Sequence, residues 1–78
     1  MYYVYILKCS DNLTYVGFTT NIRKRIKEHN EGMVHHTKSR LPIKLSWLGI
    51  FTNKTKAAIF EQYLKSGSGI SFFKRHLI

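Results

Sequence analysis

The segment Met1–Lys8, MYYVYILK, is β-branched or aromatic on both of its alternating faces. As a strand it points Tyr3, Tyr5 and Leu7 one way and Tyr2, Val4 and Ile6 the other. A strand apolar on both sides is central in its sheet: it needs a neighbour on each flank and cover on each face. In a chain of 78 residues that requirement fixes most of the plan, because the remainder must both flank and cover this one strand. A domain of this size buries only about 60% of its unfolded surface, so every polar group in its core is costly. The whole chain, 1–78, is expected to form a single domain.

Ser10-Asp11-Asn12 supplies turn chemistry and Thr14–Phe18 resumes strand composition, which reads as a hairpin. With residues 10 to 12 as the loop, Tyr5 sits opposite Gly17 and Leu7 opposite Tyr15. Tyr5 and Tyr15 are then diagonal neighbours on one face, and Gly17 leaves space beside Tyr5. A two-residue loop would put the tyrosines on opposite faces, and the three-residue register is preferred. Asn21 is placed to cap a helix over Ile22–Glu31 that stops at Gly32. Met33–Pro42 is polar and basic and reads as an exposed loop. Ile43–Phe51 is a third strand, with Leu45, Trp47 and Phe51 on one face and Leu48 and Ile50 on the other. Asn53 or Thr55 caps a second helix running through Lys65. Gly67-Ser68-Gly69 is expected to break the chain before a short last helix or turn over Ile70–Leu77. Following a helix instead of opening one, it is no phosphate cradle. The order is ββαβα with a tail.

Two helices carry charge where apolar residues belong. Ile22, Arg25, Ile26 and His29 occupy the i, i+3, i+4 and i+7 slots that face a core, and two of the four are polar. Ala57, Phe60, Glu61 and Leu64 fill the same offsets in the second helix. Glu61 is also the only acid in the last 47 residues. A thin core that accepts an Arg, a His and a Glu must pair them or use them. One reading is a structural ion pair between Arg25 and Glu61 that joins the helices. The other is a site for phosphodiester hydrolysis. There a carboxylate holds a divalent cation, an arginine fork grips phosphate oxygens and a positioned base activates water.

Charge favours the second reading's substrate. Thirteen Lys and Arg stand against four Asp and Glu, a net charge of +9, which predicts an anionic partner, nucleic acid above all. Arg23, Lys24 and Lys27, with Lys38, Arg40 and Lys44, are candidates for a phosphate-tracking face. Lys54, Lys56 and Lys65 read as solubilising. Adjacent His35 and His36 fit a solvated loop better than a metal site. Cys9 has no disulfide partner and reads as a packed thiol. That thiol, the lack of a basic leader and the lack of any apolar run near ~18 residues point to a cytoplasmic protein without membrane contact.

Taken together, Tyr3-Val4-Tyr5, Tyr15-Val16-Gly17, Arg25 ten residues after the second tyrosine, His29 four further on and a helical Glu61 resemble the GIY-YIG nuclease domain. The likeness covers nearly the whole chain and runs to Tyr63–Gly69. It is to the small stand-alone bacterial members and to the N-terminal nuclease domain of the excision-repair endonuclease. The resemblance implies an α/β fold, a three-stranded antiparallel sheet flanked by helices. It implies an endonuclease that cuts DNA, in repair or recombination, with one divalent ion, Mg²⁺ or Mn²⁺; RNA is the alternative substrate. By position, Glu61 would bind the metal and Arg25 the scissile phosphate. Tyr5 or Tyr15 would orient or deprotonate the attacking water, and His29 would support the base or the phosphate. A free tyrosine has a pKa near ~10, so a tyrosine base needs the metal and Arg25 to lower it. The chain departs from the family pattern in five places. Tyr3 replaces the first motif's glycine, and both middle positions are Val. Ile70 stands where arginine is expected, and near His76 there is no asparagine following the metal glutamate. The last departure sustains an alternative, a nucleic-acid-binding module with little or no turnover.

Overall fold

The computed structural model describes residues 1–77. Its elements run β1 Tyr2–Lys8, β2 Thr14–Thr19, α1 Ile22–Asn30, β3 Lys44–Phe51, α2 Lys54–Lys65 and α3 Gly67–His76. The sheet is three-stranded and antiparallel in the order β2-β1-β3, so the doubly apolar strand is central as its composition requires. Val4, Tyr5, Ile6 and Leu7 are all buried. Val4, Ile6 and Val16 pack on one face with Ala57 and Leu64 of α2 and Phe73 of α3. Trp47 and Phe51 extend this layer by meeting the Phe60 ring at 5.7 and 5.6 Å. Each such side chain, fully buried, contributes about 1.5–3 kcal/mol, which is why the alternation dictates the fold. The opposite face carries Tyr5 against His29 of α1.

The hairpin has the three-residue-loop register: Tyr5 pairs with Gly17 and Leu7 with Tyr15. Gly17 is required by this pairing, because a Cβ there would overlap the end of the Tyr5 ring.

Two expectations are corrected. A β-bulge interrupts the pairing of β3 with β1, so that Ile6 faces Trp47 while Leu7 faces Leu45. The extra residue moves Leu45 off the Trp47 and Phe51 face and onto that of Leu48 and Ile50, where the three were expected to divide otherwise. Gly67-Ser68-Gly69 does not separate α2 from a later helix; it forms the first turn of α3 itself. Ser66 caps that turn by accepting the Gly69 N–H. Gly69 lies against the Tyr63 carbonyl, where a Cβ would collide with backbone, so the glycine permits α3 to start immediately after α2. Asn53, not Thr55, caps α2, accepting the Lys56 N–H at 2.9 Å.

Candidate active site

The site is set by where α1 begins and ends. Asn21 accepts the Lys24 N–H at 3.1 Å and starts the helix immediately after β2. Gly32, at φ +73°, closes it: its N–H reaches the His29 carbonyl and the Met33 N–H the Glu28 carbonyl, the paired bonds of a Schellman stop. The helix that results brings His29 down onto the tyrosine face of the sheet.

His29 is completely buried and bonded through both ring nitrogens. Its Nε2 lies 2.9 Å from the Tyr5 hydroxyl and its Nδ1 2.7 Å from the Thr37 hydroxyl. The His29 ring stands edge-on to both tyrosines, with centroids 5.7 Å from Tyr5 and 5.3 Å from Tyr15. The two phenol rings are 6.4 Å apart, the diagonal pair that the register demands. Tyr5 is 1% exposed, whereas Tyr15 is only half-buried and carries the His36 ring stacked on it at 6.3 Å.

Electrostatics tie the remaining groups to this cluster. Burial pushes the Tyr5 phenol far above its ordinary range; Tyr15 adds to this, Arg25 opposes it, and the Glu61 and Glu28 carboxylates raise it further. The phenol therefore feels residues from β2, α1 and α2 at once. Burial likewise pulls the His29 imidazole below its ordinary value, helped by the Arg25 charge and opposed by Glu28. His29 is thus held neutral.

Arg25 and Glu61 do not pair with each other, so the structural ion pair between the helices is absent. Arg25 reaches Glu28 at 3.5 Å within α1, and its side chain is 40% exposed. A partnership so long and so open is worth little, which leaves the guanidinium free for an anion. It lines a polar cleft of about 310 Å³ with Thr19, Thr20, Asn21, Lys24 and Glu28. Glu61 is 13% exposed and pairs with Lys65 at 2.8 Å. Lys65, read from sequence as solubilising, instead covers the carboxylate with a positive charge.

Among the described residues no three His, Cys, Asp or Glu side chains gather as metal ligands. The chemistry of the donor is that of a hard-cation ligand: Glu61 is a single sheltered carboxylate that already faces one cation, the Lys65 ammonium. A cation of the Mg²⁺ kind takes the rest of its ligands from water and a substrate phosphate.

The six candidate phosphate contacts are not gathered into one patch. Lys24 shares the cleft with Arg25, Arg23 lies on the groove toward Leu45 and Leu48, and Lys44 stands beside Lys8. Lys27 and Lys38 are exposed. Arg40 is held by Asp11, with Nε 2.7 Å from Oδ2, and so ties the long loop to the hairpin turn. The roles of Thr37, Lys65 and Glu28 escaped sequence reasoning. Thr37 in particular sits in a run of polar loop residues with nothing local to mark it. His35 and His36 are exposed, as expected, and Cys9 is a buried thiol. No helix among the described residues is long and apolar enough to cross a membrane.

The family model described as the GIY-YIG catalytic domain matches residues 1–70, and the chain belongs to that family. Its relatives are bacterial and are grouped as UPF0213 proteins. One from Clostridium perfringens is 48% identical over 66 residues, spanning 83% of this chain and 71% of that protein. Another, from Streptococcus agalactiae, is 35% identical and spans 95% of this chain and 89% of its own length. The solution NMR structure of a UPF0213 protein from Bacillus halodurans superposes with a TM-score of 0.62 at 34% identity, covering 96% of this chain and 84% of that one.

Proposed function

We propose that this chain is a metal-dependent endonuclease that hydrolyses DNA phosphodiester bonds, selecting substrates by structure more than by sequence, in DNA repair or recombination. The observation that carries this reading is the packed cluster of Tyr5, His29 and Tyr15, whose buried phenol feels the charges of Arg25 and Glu61. Arg25 grips the scissile phosphate from the polar cleft, with Lys24 beside it. Glu61 is the residue that would hold one Mg²⁺ or Mn²⁺, which when bound would supply Lewis-acid chemistry at the phosphate. Tyr15, half-buried at the rim, orients the attacking water, while Tyr5, sealed and protonated, packs behind the Tyr15 ring. His29 holds Tyr5 in place. Arg23, Lys27, Lys38 and Lys44 steer the flanking backbone, and Arg40 braces the loop that carries Thr37 and Lys38. Such contacts carry no base readout, so discrimination falls to the shape of branched, nicked or single-stranded DNA.

The Lys65–Glu61 pair favours a second reading, a nucleic-acid-binding module with the same fold and little turnover, because an ammonium already neutralises the one available carboxylate. One experiment separates the two. Labelled single-stranded, duplex, nicked, flap and four-way DNA are incubated with wild type and Glu61→Ala in Mg²⁺, Mn²⁺ or EDTA. Metal-dependent cutting by wild type alone supports the nuclease, with a loss of about 10²-fold or more in the variant. Salt-sensitive binding without cutting, unchanged or tighter in the variant, supports the module.

A further inference from the structure

Glu61 has both carboxylate oxygens engaged within its own helix. Oε2 takes the Lys65 ammonium at 2.8 Å, and Oε1 takes an N–H of the Gln62 side chain at 3.3 Å. The amide contact is long and neutral, whereas Lys65 brings a full charge and is the nearer of the two. An oxygen that holds an ammonium so closely cannot hold a divalent cation in the same direction, because the two cations repel. The ammonium is nevertheless easy to displace. Lys65 is the last residue of α2, its side chain is 48% exposed, and an open pair between residues four apart on a helix is weak. Once displaced, it has no other side-chain carboxylate to meet on β3, α2 or α3, since Glu61 is the only acid in the last 47 residues. What lies within its reach is a cleft of about 230 Å³ that it lines together with Tyr15 of β2 and Ile70 and Phe73 of α3. No other residue lining that cleft is charged, and the cleft shares no residue with the one that Arg25 lines.

We propose that Lys65 is a further functional residue of the site: it holds the Glu61 carboxylate until a divalent cation takes that oxygen, and then carries its own charge to a backbone phosphate at the Tyr15 cleft. Lys65 and the divalent cation are exclusive occupants of Oε2. Lys65 therefore counts as a phosphate contact only when Glu61 has released it. The ion pair that argues for an idle carboxylate becomes the resting state of a working one, and Lys65 meets a different stretch of DNA backbone from Arg25. The metal half of this assignment rests on the nuclease reading; the exchange of Lys65 between carboxylate and phosphate does not.

Two measurements on the full chain test the two halves. In the first, Mn²⁺ alone is titrated into ¹⁵N-labelled protein, and the broadening of α2 amide signals around Glu61 gives its affinity there. Lys65→Met should bind about twofold to fivefold tighter than wild type, the strength of an open ion pair written as an affinity ratio. Glu61→Gln should abolish the local broadening. Lys56→Met removes the same charge from the same helix at a lysine that pairs with no acid among the described residues, and so corrects for net charge. Binding by Lys65→Met no tighter than by Lys56→Met overturns the proposal, as does the absence of Glu61-dependent broadening from wild type and Lys65→Met alike. In the second, binding to duplex DNA is followed against salt in EDTA. Lys65→Met should leave the wild-type slope within error, because Glu61 holds the ammonium. In a Glu61→Gln background the same change should make the slope shallower by about one unit. Equal effects in the two backgrounds overturn the exchange. Both expected results from a protein that cuts no DNA would remove the nuclease reading and leave the exchange of Lys65 standing.

Discussion

Burial turns His29 from a surface base into a structural acid sensor. Its pKa is depressed in the folded chain, so the unfolded chain binds the proton more readily. The stability this group contributes is therefore complete above its unfolded value, about 6.5, and is lost as pH falls through the lower folded value. Protonation would put an N–H on both ring nitrogens of a fully buried side chain, so that both hydroxyl partners would have to accept. The urea midpoint of wild type should fall from pH 7.5 to pH 5, with a slope of at most about 1.4 kcal/mol per pH unit from this one group. His29→Gln should be less stable at pH 7.5 but flatter across the same range. An equal slope in both proteins would assign the acid sensitivity to other groups. The other histidines that could mimic the effect, His35, His36 and His76, are exposed.

At the scale of elements, the hairpin register is what makes a site of two tyrosines, and Gly17 is its most sensitive point. A Cβ at 17 would overlap the Tyr5 ring in a core with little room to adjust. Gly17→Ala should cost about 1–3 kcal/mol by overpacking, read from urea unfolding. In a double-mutant cycle with Tyr5→Leu, much of that cost should disappear; full additivity would place the strain elsewhere. This register was legible because it depends on loop length and the alternation of β1, both local in sequence. The position of Leu45 was not, because its face is decided by a bulge in the pairing with β1, and the alternation of β3 alone carries no trace of it. The start of α3 was misread for a related reason. Glycines signal a break by propensity, but here the Ser66 cap and the close passage of Gly69 over the Tyr63 carbonyl turn them into a helical first turn. Likewise the types of the site residues were legible as polar groups in apolar slots. Their partners were not: Lys65 for Glu61, Glu28 for Arg25 and Thr37 for His29 are contacts between surface-like residues that no hydrophobic pattern marks.

At the scale of the whole molecule, a net charge of +9 favours an anionic partner but does not say which cations would touch it. The structure separates them. Arg40 is committed to Asp11, which raises the guanidinium's already high pKa and lowers that of the carboxyl, so exchanging this partner for a phosphate gains little. Lys24, Lys27, Lys38, Lys44 and Arg23 have no acid partner to give up among the described residues. With Arg25 on the scissile phosphate, six phosphate contacts on duplex DNA release counterions with a slope of about −5.4 in log affinity against log salt. Lys27→Ala should weaken binding evenly across sequences and make the slope shallower by about one unit. Arg40→Ala should leave the slope within error of wild type and instead loosen the 33–42 loop, seen as faster amide exchange at Thr37 and Lys38. Titrations by fluorescence anisotropy from low to moderate salt decide between the two. Were Arg40→Ala to lower the slope as Lys27→Ala does, the Asp11 pair would be a resting contact that yields to DNA, and the hairpin turn would belong to the binding surface.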